Sequence, residues 1–212
     1  MRDVSRKDFL CKSFLSIVSV TVGSALLPGI ASASGLDIQK IIDETKPMSE
    51  AVKLRIHRPK LVFAEALQPR LETKRIIMHH VGGTNREAKA EEIHQWHLQN
   101  GWAGIGYHFI IHKDGSIEQG RPIEMIGAHC YRYNSDSVGI CSIGNFQEYY
   151  PTDMQLETAG KLIAYVCSLY DIVPGKDTIF GHRDLNTTEC PGDHLYAQLD
   201  NLRKVAFNYL QG

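Results

Sequence analysis

The chain has 212 residues, of which 43% are hydrophobic and 22% are charged. This length suits one globular domain with an extension, and the composition is ordinary for a protein with a substantial core. The net charge of −1 offers no basic surface to a polyanion, so no nucleic acid is expected as a partner.

Residues 1–33 are predicted to be a secretory signal peptide. Basic residues precede an apolar run at 14–27, and residues 31–33 form a small-residue cleavage pattern. The run is short for a membrane span, and an uncleaved anchor is the alternative. Residues 5–10 also resemble a twin-arginine signal, with Lys7 where the second arginine is expected. We expect an exported protein, periplasmic or extracellular, and the export route stays open.

Residues 34–72 are polar and mixed, and we interpret them as an N-terminal arm that packs on the main domain. Prolines within this segment break any long helix, so the pattern predicts short helices such as one over 51–56. The compact domain is expected over 73–212.

Strands and helices alternate along the compact domain. Apolar patterns predict strands near 75–79, 106–112, 116–119, 137–143 and 178–180, and helices over 87–99, 152–170 and 193–210. A turn at Asp114 and Gly115 predicts a hairpin between the second and third strands. These elements predict an α/β fold: a single domain with a central mixed β-sheet flanked by helices.

Two of the predicted helices have recognisable start signals. Thr152 and Gln155 form a capping box, in which each side chain binds a backbone amide near the other residue. For the helix over 87–99, Thr84 or Asn85 is the candidate N-cap.

Four cysteines follow the signal peptide: Cys130, Cys141, Cys167 and Cys190. In an oxidising compartment they could form two disulfides. Cys167 lies in an apolar helical pattern and Cys141 in an apolar strand, so we expect both thiols to be free. Cys130 with Cys141 is the one pair that merits a check.

Two histidines and one cysteine from distant segments form a candidate metal site. His79 and His182 each end a predicted strand, and Cys190 follows after a loop that turns at Pro191. Imidazole and thiolate are good ligands for Zn²⁺, and three protein ligands leave a fourth position for water. No C-x₂-C pair is present, so the pattern predicts a catalytic zinc rather than a zinc finger.

Separated motifs run in order through residues 74–205. They include IMHH at 77–80, QWH at 95–97, GW at 101–102, GYHFII at 106–111, GAH at 127–129, YNS at 133–135, SVGI at 137–140, GHRD at 181–184 and CPG at 190–192. Each motif alone is weak. As an ordered set they resemble the zinc-dependent N-acetylmuramoyl-L-alanine amidases, the family shared by phage lysozyme-type amidases and peptidoglycan recognition proteins.

The resemblance implies roles for individual residues. The metal ligands fall on His79, His182 and Cys190, and the catalytic tyrosine falls on Tyr107. Thr188 stands where the phage enzymes carry lysine and where the recognition-protein amidases also carry threonine. A threonine supplies no cation, so Thr188 is assigned a hydrogen-bonding role in catalysis.

Other positions are interpreted from the motifs and from the local pattern. His129 and Asn134 are candidate substrate-binding residues, with a loop-shaping role as the alternative. Arg132 stands where the family loop usually carries glycine, which puts the geometry of that loop in question. Arg183 and Asp184 are expected to form a local ion pair.

The resemblance implies hydrolysis of the amide bond between N-acetylmuramic acid and L-alanine, with Zn²⁺ as cofactor. Peptidoglycan or muropeptides are then the partners, and a monomer is expected. One alternative is a receptor that binds peptidoglycan without cutting it. A second is a Cys–His peptidase with Cys190 as its nucleophile.

Overall fold

The computed structural model describes residues 54–211. The predicted signal peptide and the first part of the predicted arm lie outside these residues. Within the described range, no helix combines the length and apolar character that crossing a membrane requires.

One six-stranded sheet forms the centre of the domain, with strand order β1-β4-β3-β5-β2-β6. The strands are β1 (Ile56–His57), β2 (Arg75–His80), β3 (Phe109–Ile111), β4 (Ile117–Gln119), β5 (Ser137–Ser142) and β6 (Ile179–Gly181). The helices are α1 (Ala90–Gln99), α2 (Asp153–Tyr170), α3 (Asp193–Tyr196) and α4 (Leu199–Gln211). Single turns of 3₁₀ helix cover Asn134–Asp136 and His182–Asp184.

The sheet is mixed, as predicted. β3 and β4 form the expected antiparallel hairpin, whereas β2 pairs in parallel with both β5 and β6. β2 and β5 are buried along nearly their whole length, since helices cover both faces of the sheet centre. The predicted α/β fold with helices flanking a central mixed sheet is confirmed.

Strand alternation divides the core between the two faces of the sheet. Ile76 and Met78 of β2 face one apolar cluster together with buried residues of α2 and α4. A second cluster contains Ile93 of α1 and Ile110 of β3. Because neighbouring residues of a strand point to opposite faces, His79 lies on the face opposite Met78.

The two predicted helix starts have different outcomes. The capping box of Thr152 and Gln155 is present at the start of α2, as predicted. The predicted start of α1, with Thr84 or Asn85 as N-cap, is wrong. The helix begins at Ala90, and the side chain of its N-cap residue, Lys89, makes no capping bond. A Glu118 carboxylate oxygen from β4 instead accepts the Ala90 N–H at 2.6 Å. A buried acid from another strand thus satisfies this helix terminus.

Two further boundaries differ from the sequence predictions. No helix covers residues 54–56: Ile56 and His57 form β1, which pairs in parallel with the edge of β4. The second half of the predicted arm therefore completes the sheet. The single helix predicted over 193–210 is divided into α3 and α4.

Gly160 lies where α2 and α4 pack against each other, and a Cβ at this position would lie 2.3 Å from Cγ1 of Val205. In an isolated helix alanine is more stabilising than glycine by about 1 kcal/mol. The contact with Val205 therefore decides whether alanine raises or lowers the free energy of unfolding here. We expect Gly160→Ala to lower the free energy of unfolding by about 1–3 kcal/mol in urea denaturation. Val205→Ala in the same background should restore most of the loss. A Gly160→Ala protein more stable than the wild type would contradict this packing.

Candidate metal centre

His79, His182 and Cys190 converge at the C-terminal edge of the sheet. β2 and β6 are parallel neighbours in which Met78 pairs with Gly181, so the next residue of each chain segment is a histidine. Cys190 Sγ lies 3.6 Å from Nδ1 of His79. One ligand atom from each of the three residues lies within 4.8 Å of the others. The three side chains can therefore hold a metal ion.

Hydrogen bonds determine which nitrogen of His79 is free. The Ser137 hydroxyl donates to the Tyr133 carbonyl at 2.6 Å, and His129 Nε2 lies 3.4 Å from the same hydroxyl oxygen. Since that hydroxyl has used its proton, the His129 Nε2–H donates to it, which leaves Nδ1 of His129 as an acceptor. Nε2 of His79, at 3.0 Å from this Nδ1, then donates. The bare Nδ1 of His79 faces Cys190.

The glycine at position 139 makes room for this arrangement. Gly139 lies in β5, and a Cβ there would lie 2.6 Å from the His129 ring. The His129 ring consequently occupies the space that a side chain at this position of β5 would fill, and it contacts His79. This contact gives the SVGI motif a direct geometric connection to the metal site.

Burial keeps the candidate ligands in their neutral forms. It lowers the pKa of His79 well below the ordinary value, and the nearby His182 lowers it further. Burial also lowers the pKa of His182. Burial raises the pKa of the Cys190 thiol to about 12. Neutral imidazoles are the form that binds metals, and a bound cation would stabilise the thiolate.

Tyr107 lies beside the ligand cluster. Its ring centroid is 5.2 Å from that of His79. Burial raises the pKa of the Tyr107 phenol well above its ordinary value, and the thiols of Cys141 and Cys190 raise it further. The phenol therefore retains its proton at neutral pH, and in this structure it hydrogen-bonds to the Cys141 thiol.

An open groove of about 780 Å³ borders the cluster, and His182 is the candidate ligand that lines it. Such a volume is typical of small-ligand sites. All four of the predicted catalytic and substrate-binding residues line it, together with His182. The lining residues are His97, Trp102, Tyr107, Ala128, His129, Cys130, Tyr131, Asn134, His182, Asn186, Thr187 and Thr188.

Asn134 and Thr188 each bind the backbone of a neighbouring residue, and their roles in the site stay predictions. Asn134 Oδ1 accepts the backbone N–H groups of His129 at 2.8 Å and Cys130 at 2.9 Å, which shapes this loop. The Thr188 hydroxyl oxygen accepts the Cys190 N–H at 3.2 Å. The Thr188 hydroxyl proton remains available to a ligand in the groove.

Arg132 adopts the backbone conformation that glycine favours. Its φ is 69°, in the left-handed region, at the position where the resemblance expects a glycine. The loop thus keeps the positive φ although the residue type differs. The strain for a residue with a Cβ is on the order of 1 kcal/mol.

The predicted ion pair between Arg183 and Asp184 is wrong. The Asp184 carboxylate accepts the Gly181 N–H at 2.8 Å and the hydroxyl proton of Tyr196. Arg183 instead pairs with Asp193 at 2.6 Å. The short 3₁₀ turn after β6 explains the difference, because the carboxylate folds back to cap that turn.

Sequence reasoning missed residues that line the groove. His97 was not among the predicted site residues, yet its ring centroid lies 5.5 Å from that of Tyr107 and 4.7 Å from that of Trp102. His97 Nδ1 accepts the Gly106 N–H at 3.0 Å, so its Nε2–H is a donor. Asn186, which contacts His182, was also missed. The sequence signals that could have indicated His97 and Trp102 were the motifs QWH and GW.

The four described cysteines are all free thiols. Cys130 and Cys141 are both buried and do not form the disulfide that merited a check. This outcome agrees with the expectation of free thiols.

Residues 69–193 match the family model described as N-acetylmuramoyl-L-alanine amidase. Peptidoglycan-recognition protein SC2 of Drosophila melanogaster is 35% identical over 130 residues, 58% of this chain and 70% of that protein. The endolysin of Enterobacteria phage K11 is 34% identical over 132 residues, 59% of this chain and 85% of that protein.

Solved structures of similar proteins have the same fold. The N-acetylmuramoyl-L-alanine amidase LysC from Clostridium intestinale URNW has a TM-score of 0.64 at 33% identity, covering 69% of this chain and 95% of that chain. A mutant of Drosophila PGRP-LB in complex with tracheal cytotoxin has a TM-score of 0.60 at 31% identity, covering 71% of this chain and 96% of that chain.

The fold, the site and these similarities identify the chain as one of the proteins that hydrolyse or bind peptidoglycan. More narrowly, the chain belongs to the N-acetylmuramoyl-L-alanine amidase family.

Buried histidines should make the metal-free protein sensitive to acid. Burial lowers the pKa of His80 and of His97 to about 4 and that of His108 to about 3. Between these values and about 6.5 the unfolded chain binds protons that the native protein does not, so the free energy of unfolding falls as the pH falls. Each such histidine contributes up to about 1.4 kcal/mol per pH unit in this range.

Urea denaturation of metal-free protein at a series of pH values would measure this slope. His108→Gln removes one titrating group. It should reduce the slope of the unfolding free energy against pH by about 1.4 kcal/mol per pH unit, the contribution of one proton. A free energy of unfolding that stays constant between about pH 4.5 and 7 would contradict the prediction.

Proposed function

We propose that this protein is a zinc-dependent amidase that hydrolyses the bond between N-acetylmuramic acid and L-alanine in peptidoglycan. The observation that carries the proposal is the convergence of ligand atoms of His79, His182 and Cys190 within 4.8 Å at a groove. Two neutral imidazoles and a thiol fit Zn²⁺, and three ligands leave a position open. When bound, zinc would lower the pKa of a water molecule and polarise the substrate carbonyl.

In this proposal Tyr107 acts as a hydrogen-bond donor. Its raised pKa keeps the proton on the phenol, and its ring lies beside His79. A proton donor fixed at this place would stabilise the oxyanion that develops on the substrate carbonyl. Thr188 would assist with its free hydroxyl proton from the rim of the groove. A protonated phenol is a poor base, so Tyr107 is better suited to donation than to proton abstraction.

The shape and lining of the groove support a muropeptide as the ligand. Trp102 is exposed and offers an apolar surface, and the His97 ring packs against it with ring centroids 4.7 Å apart. His129 and Asn134 line the groove and are proposed to act mainly by holding His79 and the loop backbone. A PGRP-LB mutant similar to this chain is described in complex with tracheal cytotoxin, which agrees with such a ligand.

A receptor without catalytic activity is the main alternative. A receptor that only grips muropeptide has no need for three convergent metal ligands. Here His79, His182 and Cys190 are all present, and Nδ1 of His79 is directed at the thiol. This complete ligand set favours the enzyme.

A Cys–His peptidase is disfavoured by the electrostatics of the thiol. A nucleophilic cysteine needs a depressed pKa, commonly from a neighbouring histidinium. Burial instead raises the pKa of Cys190 to about 12 and lowers the pKa of its neighbour His79. This pair is unsuited to forming a thiolate–imidazolium couple by itself.

Digestion of purified sacculi tests the proposal. Mature protein loaded with zinc should release free stem peptides with an L-alanine amino terminus, identified by mass spectrometry. A chelator should abolish release, and added zinc should restore it. Sacculi that are bound but not cut would establish the receptor, and activity that survives chelation but not thiol alkylation would establish the peptidase.

Two variants separate the roles within the site. Cys190→Ser should lose both zinc and activity, because a hydroxyl is a much weaker zinc ligand than a thiolate. Tyr107→Phe should fold, retain zinc at wild-type stoichiometry, and lose about 10²–10³-fold in kcat. Full activity of Tyr107→Phe would remove the phenol from the mechanism.

Export to the periplasm or the extracellular space is part of this proposal, since the substrate lies outside the cytoplasm. Its support is the basic, apolar and small-residue sequence at 1–33. Mass spectrometry of the protein from fractionated cells should find a new amino terminus near residue 34 outside the cytoplasm. An intact protein confined to the cytoplasm would refute export. The monomeric state also stays a prediction.

A further inference from the structure

Asn186 uses all of its side-chain hydrogen-bonding capacity beside the metal centre. Its Oδ1 lies 3.1 Å from Nε2 of His182 and 3.3 Å from Sγ of Cys130. Its amide nitrogen donates to the carbonyl of Leu185 at 2.8 Å and to that of Tyr131 at 3.3 Å. A side chain with two acceptor sites and two donors is thereby fully paired.

These partners determine the orientation of the amide. The carbonyl oxygens of Leu185 and Tyr131 can only accept, so the NH₂ group of Asn186 must face them. The side-chain oxygen then faces the imidazole, and Nε2 of His182 must carry the hydrogen. Nδ1 of His182 is left with a free lone pair. The two backbone carbonyls therefore determine, through the orientation of Asn186, which nitrogen of His182 carries the hydrogen.

We propose that Asn186 is a positioning residue that holds His182 in the tautomer and ring orientation required of a metal ligand. This inference rests on the proposed zinc-dependent function and extends it. It parallels the arrangement at His79, whose free nitrogen is determined through His129. Partners of this kind orient metal ligands and increase their basicity.

The same amide joins His182 to a wall of the groove. Tyr131 is 73% exposed and lines the groove, and its carbonyl accepts one of the two Asn186 N–H bonds. Cys130, the residue before it, shares the Asn186 oxygen with His182. The orientation of the imidazole is thus coupled to the backbone of the loop that begins at Cys130.

Three variants separate the imidazole contact from the other contacts of Asn186. Asn186→Leu has a similar volume and removes all of its hydrogen bonds. Asn186→Asp keeps an acceptor for His182 and loses both donors to the backbone carbonyls. Cys130→Ala is the matched control, since it removes the thiol that shares the oxygen and leaves the contact to His182 in place.

The first measurement is nitrogen NMR of histidine-labelled, metal-free protein, with the His182 signals identified by their loss in His182→Gln. We expect the Nε2–H tautomer in the wild type, in Asn186→Asp and in Cys130→Ala. We expect a mixture of tautomers in Asn186→Leu, because the acceptor is gone. Circular dichroism of each variant would verify that it is folded.

The second measurement is the zinc affinity of the same proteins by competition with a chelating dye. Asn186→Leu should bind zinc about 10–100-fold more weakly than the wild type. Asn186→Asp and Cys130→Ala should bind it at least as tightly as the wild type.

The possible results are distinguishable from failure of the proposed function. A wild-type protein that binds no zinc refutes the proposed function, while the NMR measurement still tests the orientation of His182. If Asn186→Leu retains both the single tautomer and wild-type zinc affinity, the positioning role is wrong. If Asn186→Asp loses both as well, the backbone contacts to the loop are responsible, and the role assigned to the contact with His182 is overturned.

Discussion

A backbone carbonyl at one end of a chain of hydrogen bonds sets the direction of every bond that leads to His79. The Tyr133 oxygen can only accept, which orients the Ser137 hydroxyl, then His129, and finally His79. The last nitrogen in this chain is bare and faces Cys190. In this buried chain a reversed Ser137 hydroxyl would leave two acceptors, its own oxygen and the Tyr133 carbonyl oxygen, facing one another.

The sheet supplies the positions that this chain of bonds requires. β2 and β6 are parallel neighbours, and the register that pairs Met78 with Gly181 places the two histidines side by side at one edge. β5 lies on the other side of β2 and contributes the glycine against which His129 packs. The carboxyl ends of parallel strands are where an open α/β sheet usually binds ligands, because loops from several strands meet there.

Local sequence signals predicted the features that depend on neighbouring residues. The apolar run at 75–79, the Asp114–Gly115 turn and the Thr152–Gln155 capping box all correspond to elements in the structure. Features that depend on distant partners were not predictable in this way. The start of α1 depends on Glu118 from another strand, and Arg183 pairs with Asp193 rather than with its immediate neighbour. A local pattern contains no information about which distant group arrives at a helix end or beside a guanidinium.

The sequence by itself determined the fold class and the identity of the three candidate ligands, because side-chain periodicity and ligand chemistry are properties of residue types and their order. Only the tertiary structure decided which nitrogens of His79 and His182 are bare, and that Asn186 and His97 lie at the groove. It also decided that Arg132 takes a positive φ. These properties depend on hydrogen-bond partners and packing from segments far apart in the chain, which come together only when the sheet forms.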